Sequence, residues 1–233
     1  MTAQLWALTF DSLDARALAT FWAGMLGREV EADGASYELP SPEPGQPRLR
    51  FVPTGAVKAG PNRIHLHLTS TSETDFRATV ERALTLGGSH LDVGQLPEED
   101  HVVLADPEGN ELCVIPPDNK FLAGTGKLGE LACDGSRAVG VFWSEALGWP
   151  LVWDQDEETA IQSPDGGTKI AWGGPPRAPK YGERDRLRLE VAADDDEVER
   201  LVGLGASRVG AGQLADPDGN DVDVRPAAAV RRP

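Results

Sequence analysis

Thr20-Phe-Trp-Ala-Gly-Met-Leu-Gly27 is answered 121 residues later by Val141-Phe-Trp-Ser-Glu-Ala-Leu-Gly148. Two further pairs follow in the same order. Val80-Glu-Arg-Ala-Leu-Thr-Leu-Gly-Gly-Ser89 matches Val198-Glu-Arg-Leu-Val-Gly-Leu-Gly-Ala-Ser207, and Ala105-Asp-Pro-Glu-Gly-Asn-Glu-Leu-Cys-Val114 matches Ala215-Asp-Pro-Asp-Gly-Asn-Asp-Val-Asp-Val224. Three collinear matches mean an internal duplication. The offset falls to 110 between Asp106 and Asp216, so the second copy is shortened, mainly between 186 and 216. The 233 residues, 40% hydrophobic, divide into two copies of roughly 110 residues, each long enough to bury a core.

Each repeated segment has a local reading. Leu18, Phe21, Trp22 and Met25 recur at helical spacing behind Ser12 and Asp14, and Gly27 closes the last turn. Val139, Phe142, Trp143 and Ala146, behind Asp134 and Ser136 and ahead of Gly148, predict the same helix in the second copy, with Trp22 and Trp143 assigned to packing. Helices are also predicted at 73–86, with Phe76, Val80, Ala83 and Leu84 inward, and at 195–204, with Val198, Leu201 and Val202 inward. Short alternating runs predict strands at 5–10, 48–52, 63–68, 101–104, 111–115, 129–133, 168–172, 186–191 and 221–225. The Asp-Pro-x-Gly-Asn segments read as turns joining antiparallel strands.

Composition narrows the partners. The 22 basic against 38 acidic residues leave a formal charge of −16, which repels nucleic acid and anionic lipid and favours a small-molecule or protein partner. Cys113 and Cys133 lack the count and spacing of a disulfide framework, so both are expected to be free thiols in a reducing, cytoplasmic compartment. No signal peptide and no membrane span is expected.

The Phe-Trp…Leu-Gly helix ends at 21–27 and 142–148, the strand Arg63-Ile-His-Leu-His-Leu68 and the Asp-Pro-x-Gly-Asn turns together resemble the vicinal-oxygen-chelate superfamily of glyoxalase-like, bleomycin-resistance-like and dioxygenase proteins. The resemblance implies an α+β fold of tandem βαβββ modules forming two cup-shaped half-barrel domains. The expected organisation is domain 1 at 1–117, a linker at 118–127 and a shortened domain 2 at 128–233, with modules at 5–53, 62–116, 128–174 and 184–226. Connectors rich in Pro and Gly at 40–47, 53–62 and 173–183 would border the cup mouths. A monomer that mimics a dimer of single-copy relatives, or a homodimer, is expected.

Metal-dependent members of that superfamily hold an octahedral ion with His and carboxylate ligands from the first and last strand of each module, and the ion binds two vicinal substrate oxygens. The corresponding positions here, read by halves, fall near Ala7, Arg50, His65 and Cys113 in the first copy. In the second they fall near Leu128, Lys169 or Trp172, Arg188 and Asp223. Arginine has no lone pair for a metal, so neither cup is expected to hold the four-ligand site and no cofactor is predicted; a divalent metal is disfavoured. A slip of one or two residues would bring in Thr9, Asp11 or Glu111.

The remaining candidates are ligand-binding. His65 and His67 share a strand face and, with Arg50 and Glu111, line the first cup; the alternative is a structural imidazole pair. Glu130, Arg188, Glu190, Asp221 and Asp223 surround the second cup either as a self-satisfying salt-bridge network or as a ligand clamp, with Trp149, Trp153 and Trp172 as aromatic surface. Cys113 reads as a buried thiol with no base beside it in sequence. Three functions follow: a metal-independent binder of a small aromatic or cationic molecule; an enzyme, either a glyoxalase-type metal lyase or isomerase, a dioxygenase-like enzyme, or a metal-free catalyst with His65 and Glu111 as acid and base; or a second copy that serves as scaffold.

Overall fold

In the computed structural model, which describes residues 2–174 and 179–227, the order βαβββ occurs four times. Unit one is β1 (Gln4–Ser12), α1 (Ala15–Leu26), β2 (Glu31–Asp33), β3 (Ser36–Leu39) and β4 (Arg48–Pro53). Unit two is β5 (Ile64–Leu68), α2 (Glu73–Thr85), β6 (Ser89–His90), β7 (Val102–Ala105) and β8 (Glu111–Val114). Unit three is β9 (Leu128–Cys133), α3 (Arg137–Leu147), β10 (Leu151–Gln155), β11 (Glu158–Ser163) and β12 (Gly166–Trp172). Unit four is β13 (Leu187–Ala193), α4 (Asp195–Gly203), β14 (Ser207–Gly210), β15 (Gln213–Ala215) and β16 (Asp221–Pro226). Residues 175–178 of the connector expected at 173–183, and 228–233 of the second copy, lie outside the described residues.

The helices begin and end where side-chain chemistry permits. Asp14 accepts a hydrogen bond from the Ala17 amide at 3.0 Å, and Gly27 and Gly148 take left-handed φ values of 65° and 68° at the ends of α1 and α3. One face assignment needs correction. On α2 Phe76, Val80 and Ala83 meet the core as expected, with Thr79 beside them, whereas Leu84, expected inward, is 39% exposed, because it lies past the edge of the 76–79–80–83 stripe.

The strands build two sheets that do not follow the two halves. The first sheet runs β14-β15-β16-β13-β1-β4-β3-β2 and joins units one and four; the second runs β10-β11-β12-β9-β5-β8-β7-β6 and joins units two and three. At their centres β1 pairs antiparallel with β13, and β5 with β9. The expectation that each half would pair its own two units is therefore overturned. Alternation along a strand fixes which face is apolar, but not which neighbour takes its backbone hydrogen bonds. Both sheets are open, with β14 and β2, and β10 and β6, at their edges, so neither closes into a barrel.

One continuous core lies between these layers. Leu8, Phe10, Leu49 and Phe51 of the first sheet and Ile64, Leu66 and Leu68 of the second face it, and α1 and α3 add Phe21, Trp22, Phe142 and Trp143. Alternation then places Thr9, Asp11 and Arg50 on the far face of the first sheet and His65 and His67 on that of the second. Among the described residues no helix is long and apolar enough to cross a membrane.

The repeated motifs meet in space. Trp22 Nε1 donates to the buried Asp106 at 3.1 Å, and Trp143 Nε1 donates to the buried Asp216 at 3.2 Å. The same aspartates order their own turns: Asp106 accepts the amides of Glu108 and Asn110, and Asp216 those of Asp218 and Asn220. Elsewhere the 40–47 connector touches the hairpin between β11 and β12 so closely that a Cβ on Gly45 would stand 2.0 Å from the Gly166 carbonyl oxygen.

Asp106→Ala leaves the Trp22 N–H and the turn amides buried without an acceptor, which costs about 2–4 kcal/mol at typical magnitudes for such groups. A double-mutant cycle with Trp22→Phe, read in urea melts, is expected to show strong coupling. Additive losses would mean that the indole contributes packing only.

Candidate functional site

The far face of the first sheet is occupied by its own charges. Arg188 bridges Asp11 at 2.9 Å and Asp223 at 2.6 Å, and Arg184 pairs with the same Asp223. Arg50 lies 3.3 Å from Glu38, 3.5 Å from Asp33 and 3.9 Å from Glu190, which also pairs with Arg225 at 2.8 Å and accepts from Thr9 Oγ1 at 2.8 Å. Arg48 completes the set through Glu38, and Arg48 and Arg225 lie 4.3 and 4.6 Å from the Trp6 ring centroid. The guanidinium groups of Arg48, Arg50, Arg184, Arg188 and Arg225 equal in number the carboxylates of Asp11, Asp33, Glu38, Glu190 and Asp223. Charges taken out of water need such partners, and few lone pairs are left for anything else. A cavity of about 330 Å³ lies beside this network, between the connectors around 54–63 and 179–186, and is lined in part by Asp11 and Arg184.

The far face of the second sheet is different. A cavity of about 400 Å³ is lined there by His65, His67, Phe121, Glu130 and Trp153, among others; Trp172, expected as aromatic surface, borders it but alternates with Lys169 and Ala171 and buries its ring in the core between the sheets. The register sets its chemistry: His67 of β5 stands directly beside Cys113 of β8 on one side and Glu130 of β9 on the other, and Glu130 stands beside Lys169 of β12. Thiol, imidazole, carboxylate and amine thus form one row across neighbouring strands. His67 Nδ1 lies 2.6 Å from Glu130 Oε2, with the imidazole partly exposed. Phe121, from the segment between the copies, packs edge-on against Trp153 at 5.9 Å between centroids, and its ring lies 4.1 Å from Lys169 Nζ, which also donates to the Phe121 carbonyl.

The two histidines differ in charge. Burial lowers the His65 pKa to about 3, helped by the neighbouring charges of His67 and His101, so its ring stays neutral. Burial also opposes charge on His67. The hydrogen bonds to Cys113 and Glu130 and the carboxylate charge outweigh it and raise that pKa to about 9. Burial pushes the Cys133 thiol well up, and its sulfur lies 3.6 Å from the Leu131 carbonyl.

A model of the glyoxalase-like domain matches residues 7–115 and again 130–225, which together are most of the chain. The chain belongs to the glyoxalase-like domain family. This places it in the vicinal-oxygen-chelate superfamily, as the helix ends and turns imply. Solved structures agree. Glyoxalase I from Zea mays superposes with a TM-score of 0.65 at 12% identity, covering 98% of this chain and 94% of that one. A putative dioxygenase from Bacillus subtilis gives 0.57 at 13%, covering 96% and 84%. At these identities the likeness concerns the fold alone. No curated protein sequence matches the glyoxalase-like chain.

Register now allows the family's metal positions to be read on this glyoxalase-like chain. In the first sheet they fall to Thr9, Arg50, Glu190 and Asp223, with Thr9 beside Arg50 and Arg188 in register and bonded to Glu190 through its hydroxyl, and in the second to His67, Cys113, Glu130 and Lys169. A guanidinium or an ammonium stands in each set, and the first-sheet carboxylates are already paired, so neither set fits the family's octahedral ion. In the second sheet a plausible but incomplete cluster does exist: ligand atoms of His65, His67 and Cys113 all lie within 4.8 Å of one another.

The expected cup partners are redistributed. Arg50 lies on the other sheet from His65 and His67, and Glu130 lies apart from Arg188, Glu190 and Asp223. Glu111 is held by Lys58 at 2.6 Å and by Asn62 at 2.8 Å, so its carboxylate is not the partner of His65. Asp221 pairs with Lys180 at 2.7 Å rather than with Arg188. Cys113 is buried, as expected, but has an imidazole beside it, because the next strand rather than the next residue supplies it. Phe121 was missed: as part of the 118–127 segment it read as linker, and only its aromatic type hinted otherwise.

Glu130→Gln is expected to move the His67 titration from about 9 toward its ordinary value of 6.5, followed by NMR of the imidazole protons on metal-free protein. Because the folded pKa is raised, the pair stabilises the fold fully below pH 6.5 and loses that effect as the pH rises through about 9. A His67 titration unmoved by Glu130→Gln would remove Glu130 as the cause.

Proposed function

We propose that this glyoxalase-like chain binds a small planar organic molecule on the far face of the second sheet, which serves as its cup, without the four-ligand metal set of the superfamily. The observation that carries this reading is the contrast between the faces: ion pairs occupy the first and its cavity of about 330 Å³ is bordered by charged Asp11, Arg184 and Arg186, while the second has a cavity of about 400 Å³ with aromatic Phe121 and Trp153 on its wall. Cavities of this size suit small ligands, and the aromatic rings supply stacking area while His67 and Glu130 fix orientation. The copies at 1–117 and 128–233 act as one unit, since the cup takes units two and three from both, and the 118–127 segment contributes Phe121 to the wall. The first-sheet candidates Thr9, Asp11, Arg50, Arg188, Glu190 and Asp223 are scaffold in this reading. His65, His67 and Glu130 are ligand-binding, Trp172 is core, and Glu111 positions the Lys58 and Asn62 connector.

A second reading, metal-free acid–base catalysis, has one specific support. The His67–Glu130 contact of 2.6 Å is an oriented imidazole facing a cavity, the arrangement a general acid needs, and it replaces the expected pairing of His65 with Glu111. Turnover of an α-oxoaldehyde–thiol adduct, abolished by His67→Gln, would favour it over binding alone.

Binding is tested by tryptophan fluorescence and thermal shift against planar aromatic and cationic compounds, because a ligand of the native state must raise its apparent stability. Trp153→Ala is expected to weaken the best compound about 3- to 10-fold, the scale of an aromatic contact. Asp33→Asn, on the first sheet, is expected to leave affinity unchanged. Equal losses for both variants, or no compound that perturbs the protein, would overturn the assignment of the cup.

A further inference from the structure

We propose that the cavity of about 330 Å³ between the connectors at 54–63 and 179–186 binds a small organic anion, with a carboxylate or phosphate head and an apolar body. It shares no lining residue with the second-sheet cavity, so it goes beyond the small-molecule reading of that cavity and does not rest on it.

Charge is the first support. The chain has 22 basic against 38 acidic residues, yet the described wall of this cavity reverses the balance, with Lys58, Arg63, Arg184 and Arg186 against Asp11, Glu183 and Asp185. Two of those acids are already engaged. Asp11 pairs with Arg188 at 2.9 Å, and buried Asp185 accepts from the Asp221 amide at 2.8 Å and lies 3.8 Å from Lys180. Among the described residues, Lys58 and Arg184 are each held by one carboxylate, Glu111 and Asp223, which leaves further N–H groups on both for a ligand. A cleft biased to one sign of charge concentrates ions of the other.

The second support is that the walls are built before a ligand arrives. The connectors come from different copies and are tied together, because Arg186 of the second donates to the Ala56 carbonyl of the first at 3.0 Å. Each is also clamped to a strand. Glu111 of β8 accepts from Lys58 at 2.6 Å and from Asn62 at 2.8 Å, while Asp185 and Asp221 of β16 exchange amide-to-carboxylate bonds of 2.7 and 2.8 Å. Lys58 and Arg184 are thereby held on facing connectors, and little ordering remains to oppose binding. The apolar body has a seat as well. The Tyr181 ring lies against Gly60, where a Cβ would stand 2.5 Å from the ring, and Tyr181 and Val57 are exposed along the cavity. The volume suits a ligand of about one ring with its head group.

The test titrates the full-length protein by calorimetry with phenylacetate, with phenyl phosphate and with neutral 2-phenylethanol, at low ionic strength so that screening is weak. At least one anion is expected to saturate at one equivalent, the better of the two assigning the head group, and 2-phenylethanol is expected not to saturate. Lys58→Met and Arg184→Met are each expected to weaken the better anion about 10- to 100-fold, the scale of a charge-assisted hydrogen bond. Gly60→Ala, which lifts Tyr181 from its seat, is expected to weaken it about 3- to 10-fold. Trp153→Ala, in the second-sheet cavity, and Arg137→Met, an exposed change of the same charge, are expected to leave it unchanged. Should either methionine variant fail to fold, Gly60→Ala and Tyr181→Ala, on exposed connectors, carry the same test. No saturable binding of either anion, an affinity unmoved by the connector variants, or an equal loss in Trp153→Ala overturns the proposal.

Discussion

A hydrogen bond from a helix indole to a buried turn carboxylate, made twice, holds this fold in register. Trp22 to Asp106 ties unit one to unit two, and Trp143 to Asp216 ties unit three to unit four. The sheets join the units the other way, one with four and two with three. Each unit is therefore fixed to one neighbour by its helix and to another by its backbone ladder, and no unit can shift alone. The arginines at the starts of equivalent strands reinforce this crossing. Arg186 reaches Asn110 at 3.2 Å and also Glu108 in the turn of unit two, and Arg63 reaches Asn220 at 3.0 Å in the turn of unit four. An aspartate in a turn satisfies its own loop in many proteins; here it also accepts from a distant helix, and this makes it structural for the whole molecule.

The crossing also decides where chemistry can occur. Had each half paired its own units, Arg50 would face His65 and Glu130 would face Arg188. With units one and four together, arginines meet the acids of the first sheet and neutralise them. With units two and three together, a thiol, two imidazoles and a carboxylate gather on a face lined with rings and small residues. The functional face is thus a consequence of strand order more than of which residues each copy carries.

The sequence made the duplication, the four helices and the core alternation legible, because Phe21-Trp22 and Phe142-Trp143, or Ile64, Leu66 and Leu68, carry their periodicity locally, while the full βαβββ order followed only from the family resemblance. It did not reveal β2, β3, β6, β10, β11, β14 or β15. β2, β6 and β14 are short and fully exposed, and β10 exposes Val152 and Trp153, so none has an alternating signal. The site residues are hidden for another reason. Cys113 and Glu130 are 46 and 63 residues from His67 along the chain, separations that no local rule joins, and only β5 lying between β8 and β9 brings them together. The salt-bridge reading of the acids around Arg188 was legible, because an arginine on an apolar strand must find carboxylates. Which carboxylates it finds was not, since Asp11 comes from the opposite end of the chain.

The two far faces are divergent copies of one surface, and side-chain volume accounts for their difference. Aligning Arg63-Ile-His-Leu-His with Arg186-Leu-Arg-Leu-Glu sets His65 against Arg188 and His67 against Glu190. On β9 the residue beside His65 is Ala132, and the next strand offers Ala171 to the same cavity. The positions that answer these on the first sheet carry Asp11 and Val52. Replacing an alanine by an aspartate and an imidazole by a guanidinium fills the space twice over, with volume and with a bond between the two, Arg188 to Asp11 at 2.9 Å. A longer side chain alone would leave a strained surface, and a charge alone would leave an unpaired group. The paired exchange fills the middle of the face and satisfies the charges it introduces, while the opposite face stays open there because its small residues have nothing to reach across with.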